Sequence, residues 1–319
     1  VSSTGSTLRH DVFLPMVRDW AARTETGDRA ELEGLPEDLP FWSEVAATAE
    51  TCLGTDCPRY DECFVTRMRQ RAAASDVVIV NHHLLCADAA VRQNAYGEVI
   101  PSCSHAIVDE AHQLEDVATQ YFGVSLSNYR FEDYAHDVER LLRSGAAVDR
   151  NDERELAVAL DRLQDHARAF FTELAFAHRS GDSARGEERV RATDATLGRT
   201  REVAAYLSGS LERLEACLAL LKPAGGAPEP AAAGPLDGGA LARRAAELRD
   251  DLRFLLRAGD PSFVYFVEFR GKGVFLRASP IDVSNIVRDL LIDKMRATVL
   301  TSATLTVDGT FDYVRARLG

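Results

Sequence analysis

The stretch His105-Ala106-Ile107-Val108-Asp109-Glu110-Ala111-His112 is a short apolar run that ends in two adjacent carboxylates. Such a run is typical of a buried strand, which would deliver Asp109 and Glu110 to the carboxyl edge of a parallel sheet, where nucleotides bind. We assign Asp109 to Mg²⁺ and Glu110 to the attacking water, because two neighbouring carboxylates can divide these roles in nucleotide hydrolysis. The alternative interpretation is a strand end that runs into a helix cap.

The composition indicates an ordinary globular protein, with 46% hydrophobic and 27% charged residues in a chain of 319. No apolar run is long enough to cross a membrane and no secretory leader is evident, so we expect a cytoplasmic protein. The formal net charge of −13 argues against general adsorption to polyanions. Any binding of nucleic acid must therefore come from local basic patches.

Two absences lead us to expect an internal fragment of a longer protein. The chain opens at Val1 without an initiator Met, and it stops at Gly319 soon after an apolar run. It also contains no Gly-x-x-x-x-Gly-Lys-Thr/Ser loop to hold phosphates, so the carboxylate pair is only part of a nucleotide site.

Cys52, Cys57 and Cys63 follow one another at short spacing, and Gly54 and Pro58 provide turns that could bring the three sulfurs together. This pattern predicts a soft-metal site, either an iron–sulfur cluster or zinc, although both normally need a fourth ligand. Three unrelated thiols are the alternative, and a disulfide is disfavoured in a cytosolic protein.

The segment from Glu62 to Ala74 has a helical pattern that carries Arg67, Arg69 and Arg71, with Arg59 just before it. These four arginines could grip the phosphates of a nucleic acid, or they could form an ordinary solvated helix face.

The β-branched run Asp76–His83 predicts a fully buried parallel strand. Asn81 and His82 would lie at its carboxyl end, where they could be functional, although a strand-end histidine is more often structural.

Residues 122–260 lose the strand pattern, and their apolar residues recur at spacings of three and four. This periodicity predicts four amphipathic helices in a bundle-like insert, with a Pro/Gly/Ala linker at 222–239 between the third and the fourth. Strand patterns then resume at Phe263–Val267 and Val274–Ala278. A last buried strand in the run Ala297–Leu305 ends in small hydroxyl residues, which could hydrogen-bond to carboxylates, to water or to phosphate.

Together these pieces resemble the DinG/XPD family of superfamily-two iron–sulfur DNA helicases, and more closely the bacterial DinG-like branch. Five stretches carry the resemblance in the family's order, and they are Cys52–Phe64, Asp76–Leu85, Val108–His112, Ser279–Ser284 and Leu300–Leu305. The resemblance implies an α/β fold in which the RecA-like parallel sheet of the first motor domain is interrupted by an iron–sulfur domain and an all-helical arch. The implied domains are a partial iron–sulfur domain at 1–74, motor segments at 75–121 and 261–319, and the arch at 122–260.

The resemblance also assigns roles to residues of the motor. Asp109 and Glu110 would be the motif II pair of the DEAH box, and His112 would couple hydrolysis to DNA. The run Thr301-Ser302-Ala303-Thr304 would be motif III. The implied cofactors of this motor are ATP and Mg²⁺.

For the cysteines, the resemblance implies a [4Fe–4S] cluster held by Cys52, Cys57 and Cys63, with a fourth ligand upstream of Val1. Near them, Tyr60 or Phe64 could stack a base.

The implied function is an ATP-dependent DNA helicase of DNA repair and replication, which acts as a monomer on single-stranded and forked DNA. Arg59, Arg67, Arg69 and Arg71 would follow the DNA backbone. Without a phosphate loop and a second motor domain, this chain is expected to be inactive alone. Two alternatives are a metal-stapled scaffold that binds DNA or protein without hydrolysis, which predicts no phosphate loop upstream, and a DinG-like nuclease, which needs a further acidic metal site.

Overall fold

The structure is a computed structural model that describes residues 4–32, 57–93, 99–143, 150–179, 188–221 and 238–319. The chain divides into two units, residues 1–79 with 229–235, and residues 80–228 with 236–319. Cys52 and almost all of the predicted linker at 222–239 lie outside the described residues.

The first unit contains two described helices, α1 (Thr4–Ala21) and α2 (Phe64–Ala73), and a 3₁₀ turn at Arg29–Glu31. Helix α2 confirms the helix predicted over Glu62–Ala74 and begins two residues later. Its start is set by a turn in which the amide of Cys63 donates to the carbonyl of Tyr60 at 3.3 Å.

The predicted strand over residues 76–83 is absent, and this prediction was wrong. Ile79 is 94% exposed, and the extended run pairs with no strand among the described residues. Helix α3 (His82–Gln93) begins where the strand was expected to end. The Oδ1 atom of Asn81 accepts a hydrogen bond from the amide of Leu84 at 2.8 Å, which caps the helix. β-Branched residues favour extended backbone, but a strand also needs a partner with which to pair.

The α/β part of the second unit contains a parallel pair of strands, β1 (His105–Val108) and β6 (Ala297–Leu300). They pair in register from His105 beside Ala297 to Val108 beside Leu300. Helices α4 (Leu114–Tyr121), α10 (Ser284–Val287) and α11 (Asp312–Leu318) and a π-helical turn at Arg288–Ile292 surround the pair. Their shared core includes Val108, Leu114, Val287 and Leu318. This α/β arrangement is consistent with part of a RecA-like domain.

The four predicted amphipathic helices are confirmed. They are α5 (Asn128–Arg143), α6 (Arg150–His178), α8 (Arg201–Leu220) and α9 (Gly238–Arg257), with a short α7 (Asp194–Leu197) before α8. Their apolar stripes lie in one large core, as the periodicity requires. In the described ranges, no helix combines the length and the apolarity needed to span a bilayer.

Residues 122–260 are nevertheless not all-helical, which corrects that part of the prediction. They contain β2 (Val124–Ser127) and β3 (Glu188–Arg191), which join β4 (Phe263–Arg270) and β5 (Gly273–Pro280) in an antiparallel sheet of order β2-β5-β4-β3.

The strands predicted at Phe263–Val267 and Val274–Ala278 therefore do not continue the parallel sheet. Gly271 and Lys272 form a two-residue turn between β4 and β5, and Gly271 adopts a φ of +57°. A turn of this length pairs its two strands with each other in antiparallel register. Alternate residues of β4 are buried against the helices, a pattern typical of a sheet with one covered face rather than of a parallel strand buried on both faces.

Gly123 lies between α4 and β2, where the chain passes close to β5. A Cβ atom at Gly123 would lie 2.7 Å from the backbone oxygen of Ala278. We expect Gly123→Ala to lower the free energy of unfolding by about 1–3 kcal/mol, because strand β5 must shift to relieve the contact. Urea denaturation of the chain measures the change.

The matched control is Gly209→Ala, since Gly209 lies within α8 and a Cβ there would meet no atom within 4 Å. This substitution should stabilise the chain by about 0.5–1 kcal/mol, because alanine loses less conformational entropy in a helix. Equal effects of the two substitutions would contradict the role given to close packing at Gly123.

Candidate active site

The parallel pair β1–β6 brings together two segments that are far apart in the sequence. Beyond the last paired residues, the amide of Thr301 donates to the carbonyl of Val108 at 2.9 Å. The carbonyl of Thr301 in turn accepts from the amide of Ala111 at 2.9 Å. These bonds extend the pairing past the strands, so the residues after β1 and β6 meet at the same edge of the sheet.

Asp109 is held at this edge by three hydrogen bonds. Its Oδ1 atom accepts from the Thr301 hydroxyl at 2.6 Å and from the amide of Glu110 at 3.0 Å. Its backbone carbonyl accepts from Nε2 of His82 at 2.9 Å. Neither side-chain bond uses Oδ2, so this exposed carboxylate can present its second oxygen to a cation or to the water of a cation.

These contacts also set the charge of Asp109. The Thr301 hydroxyl and then the Glu110 amide hold the pKa of the Asp109 carboxyl below its ordinary value of 3.8, while desolvation opposes them and the nearby His82 makes the smallest contribution, a lowering. Asp109 is therefore ionised at neutral pH, which is the state that a divalent cation requires.

Glu110 adopts a left-handed conformation with φ of +46° and ψ of +46°, an uncommon backbone state for a residue other than glycine. It connects β1 to a 3₁₀ turn at Ala111–Gln113. Uncommon backbone states cluster at functional sites because the surrounding structure must hold them in place. Here the surrounding structure includes the hydrogen bond from Ala111 to Thr301.

The side chains of Glu110, His112 and Ser302 form a closed network. The Ser302 hydroxyl donates to Oε2 of Glu110 at 3.1 Å, and Nδ1 of His112 lies 2.7 Å from the Ser302 oxygen and 3.2 Å from the same carboxylate oxygen. Ser302 has a single proton and gives it to Glu110. In the tautomer that carries its proton on Nδ1, His112 can donate to the Ser302 oxygen or to the Glu110 carboxylate.

The remaining predicted motor residues lie on the exposed segment after Ser302. The amide of Thr304 donates to the Ser302 oxygen at 3.3 Å, and Ala303 lies exposed between them. The run 301–304 thus contacts both carboxylates through its first two hydroxyls and folds back on itself through Thr304. This arrangement can hold one carboxylate ionised for a cation while a second carboxylate faces solvent and can bind a water molecule.

The predicted cysteine site is only partly described, because Cys52 lies outside the described residues. Cys57 and Cys63 are free, half-buried thiols in the first unit. The backbone N–H of Thr66 is the main cause that lowers the pKa of the Cys63 thiol, while burial opposes it. A lowered thiol pKa suits a metal ligand, since the thiolate is the binding form. Within the described ranges, no three His, Cys, Asp or Glu side chains are grouped to hold a metal ion.

The four predicted DNA-binding arginines, Arg59, Arg67, Arg69 and Arg71, are all exposed in the first unit. Arg67 and Arg71 are four residues apart in α2 and share one face of the helix, whereas Arg69 points elsewhere. Arg69 is near enough to Cys63 to contribute to the lowering of its pKa.

Two features of the site were missed by sequence reasoning. The bond from His82 to the carbonyl of Asp109 joins residues 27 positions apart, and no local pattern indicates it. The left-handed backbone of Glu110 is also hidden, because glutamate is not a residue type that favours that conformation.

We expect Thr301→Val to raise the pKa of Asp109 toward its ordinary value of 3.8, because the main hydrogen bond that lowers it is lost. In the unsubstituted chain, the corresponding stabilisation is present above that ordinary value and is lost as the pH falls through the lower folded pKa. Titration of the Asp109 carboxyl ¹³C shift by NMR measures this pKa in the unsubstituted chain and in Thr301→Val. Thr301→Ser keeps the hydroxyl and should keep the lowered pKa. An unchanged pKa in Thr301→Val would remove Thr301 from this role.

Comparison with known proteins gives long matches to several curated relatives. Two proteins named ATP-dependent DNA helicase YoaA, from Haemophilus influenzae and Escherichia coli, are 34% and 33% identical over 96% and 97% of this chain. A Bacillus subtilis protein named 3'-5' exonuclease DinG is 24% identical over 94% of the chain. No family model matches the chain.

The chain spans 44% and 45% of the length of the two YoaA proteins and 34% of the Bacillus protein. It is therefore similar to a part of each of them. The matches to the YoaA proteins cover nearly the whole chain, including the carboxylates after β1 and the hydroxyl residues after β6. This similarity supports the resemblance to the DinG/XPD-like helicases.

Proposed function

We propose that the complete protein is an ATP-dependent DNA helicase, which couples ATP hydrolysis to movement along single-stranded DNA and to unwinding of forked DNA in repair and replication. The observation that carries the proposal is the direct hydrogen bonding of Asp109 to Thr301 and of Glu110 to Ser302 across the β1–β6 edge. The names of the YoaA relatives support it. Because the chain spans less than half of their length, the activity is proposed for the complete protein.

In this proposal the two carboxylates have separate roles. Asp109 is ionised and offers Oδ2, which fits Mg²⁺, a hard cation that prefers carboxylate and water oxygens. When bound with ATP, Mg²⁺ would neutralise charge that develops on the phosphates. Glu110 faces solvent beside a hydroxyl and an imidazole, where it would orient the attacking water and accept its proton.

The shared hydroxyl of Ser302 supports a coupling role for His112. A proton that reaches Glu110 changes the charge of the group to which Ser302 donates. That change weakens one of the bonds that hold the segment 301–304 against the carboxylates. His112 contacts the same oxygen through Nδ1, so it would transmit the change between the hydrolysis site and a DNA-contacting surface.

For the domains, we propose an iron–sulfur domain at residues 1–74 and motor segments around β1 and β6. The helical arch would be the part from β2 through β5, with its antiparallel sheet. A separate hydrophobic core for these helices and strands supports treating them as one module. The boundary at residue 260 is accordingly moved to the end of β5.

The cluster is proposed on the donor chemistry of the first unit. Cys57 and Cys63 are free, and Cys63 has a lowered pKa, so both could serve as thiolate ligands with Cys52 and one cysteine upstream of Val1. Four arginines lie close to these cysteines in the sequence and would contact the DNA phosphates, and they are Arg59, Arg67, Arg69 and Arg71.

We expect Glu110→Gln in the complete protein to lower ATP turnover by about 100-fold or more while ATP binding is retained, because the amide keeps the size of the side chain but cannot accept the proton. Steady-state ATPase assays with single-stranded DNA, together with nucleotide-binding measurements, test both parts. The matched control is Asp116→Asn, which removes an exposed carboxylate from the first turn of α4 and should leave turnover nearly unchanged. Normal hydrolysis by Glu110→Gln would exclude Glu110 as the base.

We expect the complete protein, purified without oxygen, to contain roughly four iron and four sulfide per chain. Cys63→Ser should lose most of the iron, whereas Cys103→Ser, at an exposed cysteine of the second unit, should retain it. Metal and sulfide analysis decides the question. One equivalent of zinc without iron would overturn the cluster.

Assays on the complete protein also distinguish a helicase from the two alternatives, a non-catalytic scaffold and a nuclease. A scaffold would bind DNA without hydrolysing ATP. A nuclease would shorten an end-labelled strand in Mg²⁺, and it would still do so in Glu110→Gln, whereas a helicase would separate the strands intact and only with ATP.

A further inference from the structure

The antiparallel sheet β2-β5-β4-β3 has one face on the helical core and one outer face. Tyr265, Val267 and Phe269 of β4 point to the core and are 5% exposed or less. Because side chains alternate along a strand, the residues between them, such as Phe266 and Glu268, point to the outer face.

The strand register arranges the outer face in two rows that cross the sheet. In the first row, Arg191 lies beside Phe266, which lies beside Arg277, which lies beside Ser125. In the second row, Arg189 lies beside Glu268, then Phe275, then Ser127. Each row contains one aromatic ring and at least one arginine. Neighbouring residues in a row are on adjacent strands about 4.8 Å apart, and the two rows are about 6.7 Å apart along the strands.

The two rings of the outer face belong to none of the hydrophobic cores of the described chain. Phe266 and Phe275 are half-buried and lie neither in the core around the parallel strand pair nor in the core of the helical segment. A third ring, Tyr129, is 41% exposed and packs edge-on against Phe275, with 6.1 Å between the centroids. Gly273 makes room for this pair, since a Cβ there would lie 2.6 Å from each ring.

The outer face also carries more positive charge than its own carboxylate can balance. Glu268 is fully buried, and its two oxygens are contacted by Arg189 at 2.7 Å, Arg270 at 2.9 Å and Arg277 at 3.1 Å. Arg189 and Arg277 thus share one carboxylate, and the exposed Arg191 adds a further positive charge. This local excess stands out in a chain whose formal net charge is −13.

Rings and cations are also stacked on each other. The guanidinium of Arg189 lies over Phe266 at 5.8 Å, and that of Arg277 lies over Phe275 at 5.3 Å. Side chains of this kind provide both parts of a site for single-stranded nucleic acid, because the rings stack bases and the arginines neutralise phosphates. An acidic peptide would account for the arginines but would leave the rings without a role.

We propose that the outer face of this sheet binds single-stranded nucleic acid, with Phe266 and Phe275 against bases and Arg191 and its neighbours against phosphates. The binding needs neither ATP nor the residues around Asp109. It rests on the proposed function only in that DNA is taken as the nucleic acid.

The test is the affinity of the chain Val1–Gly319 for a fluorescein-labelled twenty-nucleotide oligo-dT, measured by anisotropy without nucleotide over a series of salt concentrations. Phe266→Leu keeps an apolar side chain but removes the ring, and we expect it to raise Kd about fivefold or more. Arg191→Gln should reduce the slope of log K against log salt by about 0.7, the value for one lost phosphate contact on a single strand. A purely structural role of Arg191 would leave this slope unchanged.

The matched control is Arg213→Gln, which removes an exposed arginine from α8. It should leave both Kd and slope unchanged, and circular dichroism melting should show that all variants are folded. The proposal is overturned if the chain binds no oligonucleotide, or if Arg191→Gln and Phe266→Leu behave like Arg213→Gln. Displacement of the DNA by polyglutamate, with equal affinity of that peptide for Phe266→Leu and the unsubstituted chain, would assign the face to an acidic partner instead.

The outcome is separate from that of the helicase proposal. A complete protein that does not hydrolyse ATP but shows the expected losses at Phe266 and Arg191 would overturn the helicase and leave this site standing. Full ATPase and unwinding activity with unchanged binding by both variants would do the reverse.

Discussion

The parallel pairing of β1 with β6 is the interaction on which the candidate active site depends. Each strand has only four residues, yet their register places Asp109 and Thr301, 192 positions apart, within a hydrogen bond of 2.6 Å. The pairing is supported by an apolar core that includes Val108 and Leu114. Two bonds through Thr301 then extend it into the turn that holds Glu110 in its left-handed conformation. Charge, backbone strain and geometry at the site therefore follow from one short ladder.

A second, independent core explains how a large segment can be inserted between β1 and β6 without disturbing them. The helices α5, α6, α8 and α9 bury their apolar stripes against one another and against one face of the antiparallel sheet. The hairpin of β4 and β5 completes that sheet within the insert, because a two-residue turn pairs neighbouring strands locally. The strands of the insert thus pair with one another, and none of them pairs with β1 or β6 in the described residues.

The two sites use electrostatics in opposite ways. Around Asp109, donors surround an exposed carboxylate and keep it charged and available to a cation. Around Glu268, arginines enclose a buried carboxylate and leave a net positive surface on an acidic protein. In the second case, burial is the first cause that lowers the pKa of Arg277, and the Glu268 charge opposes it. The carboxylate therefore holds the arginines together, while their excess charge faces outward.

The sequence alone determined the features that depend on local periodicity and residue chemistry. The four long helices follow from the spacing of their apolar residues, and the carboxylates after β1 and the hydroxyls after β6 follow from apolar runs that end in polar residues. Only the tertiary structure decided which strands pair. The run 76–83 has the composition of a strand but no described partner, and β4 and β5 joined the helical insert rather than the parallel sheet. The hydrogen bonds from His82 to the carbonyl of Asp109 and from Ser302 to Glu110 were likewise decided by the tertiary structure. The physical reason is that helix periodicity is set within a few residues, whereas strand pairing and side-chain hydrogen bonds depend on segments brought together from distant parts of the chain.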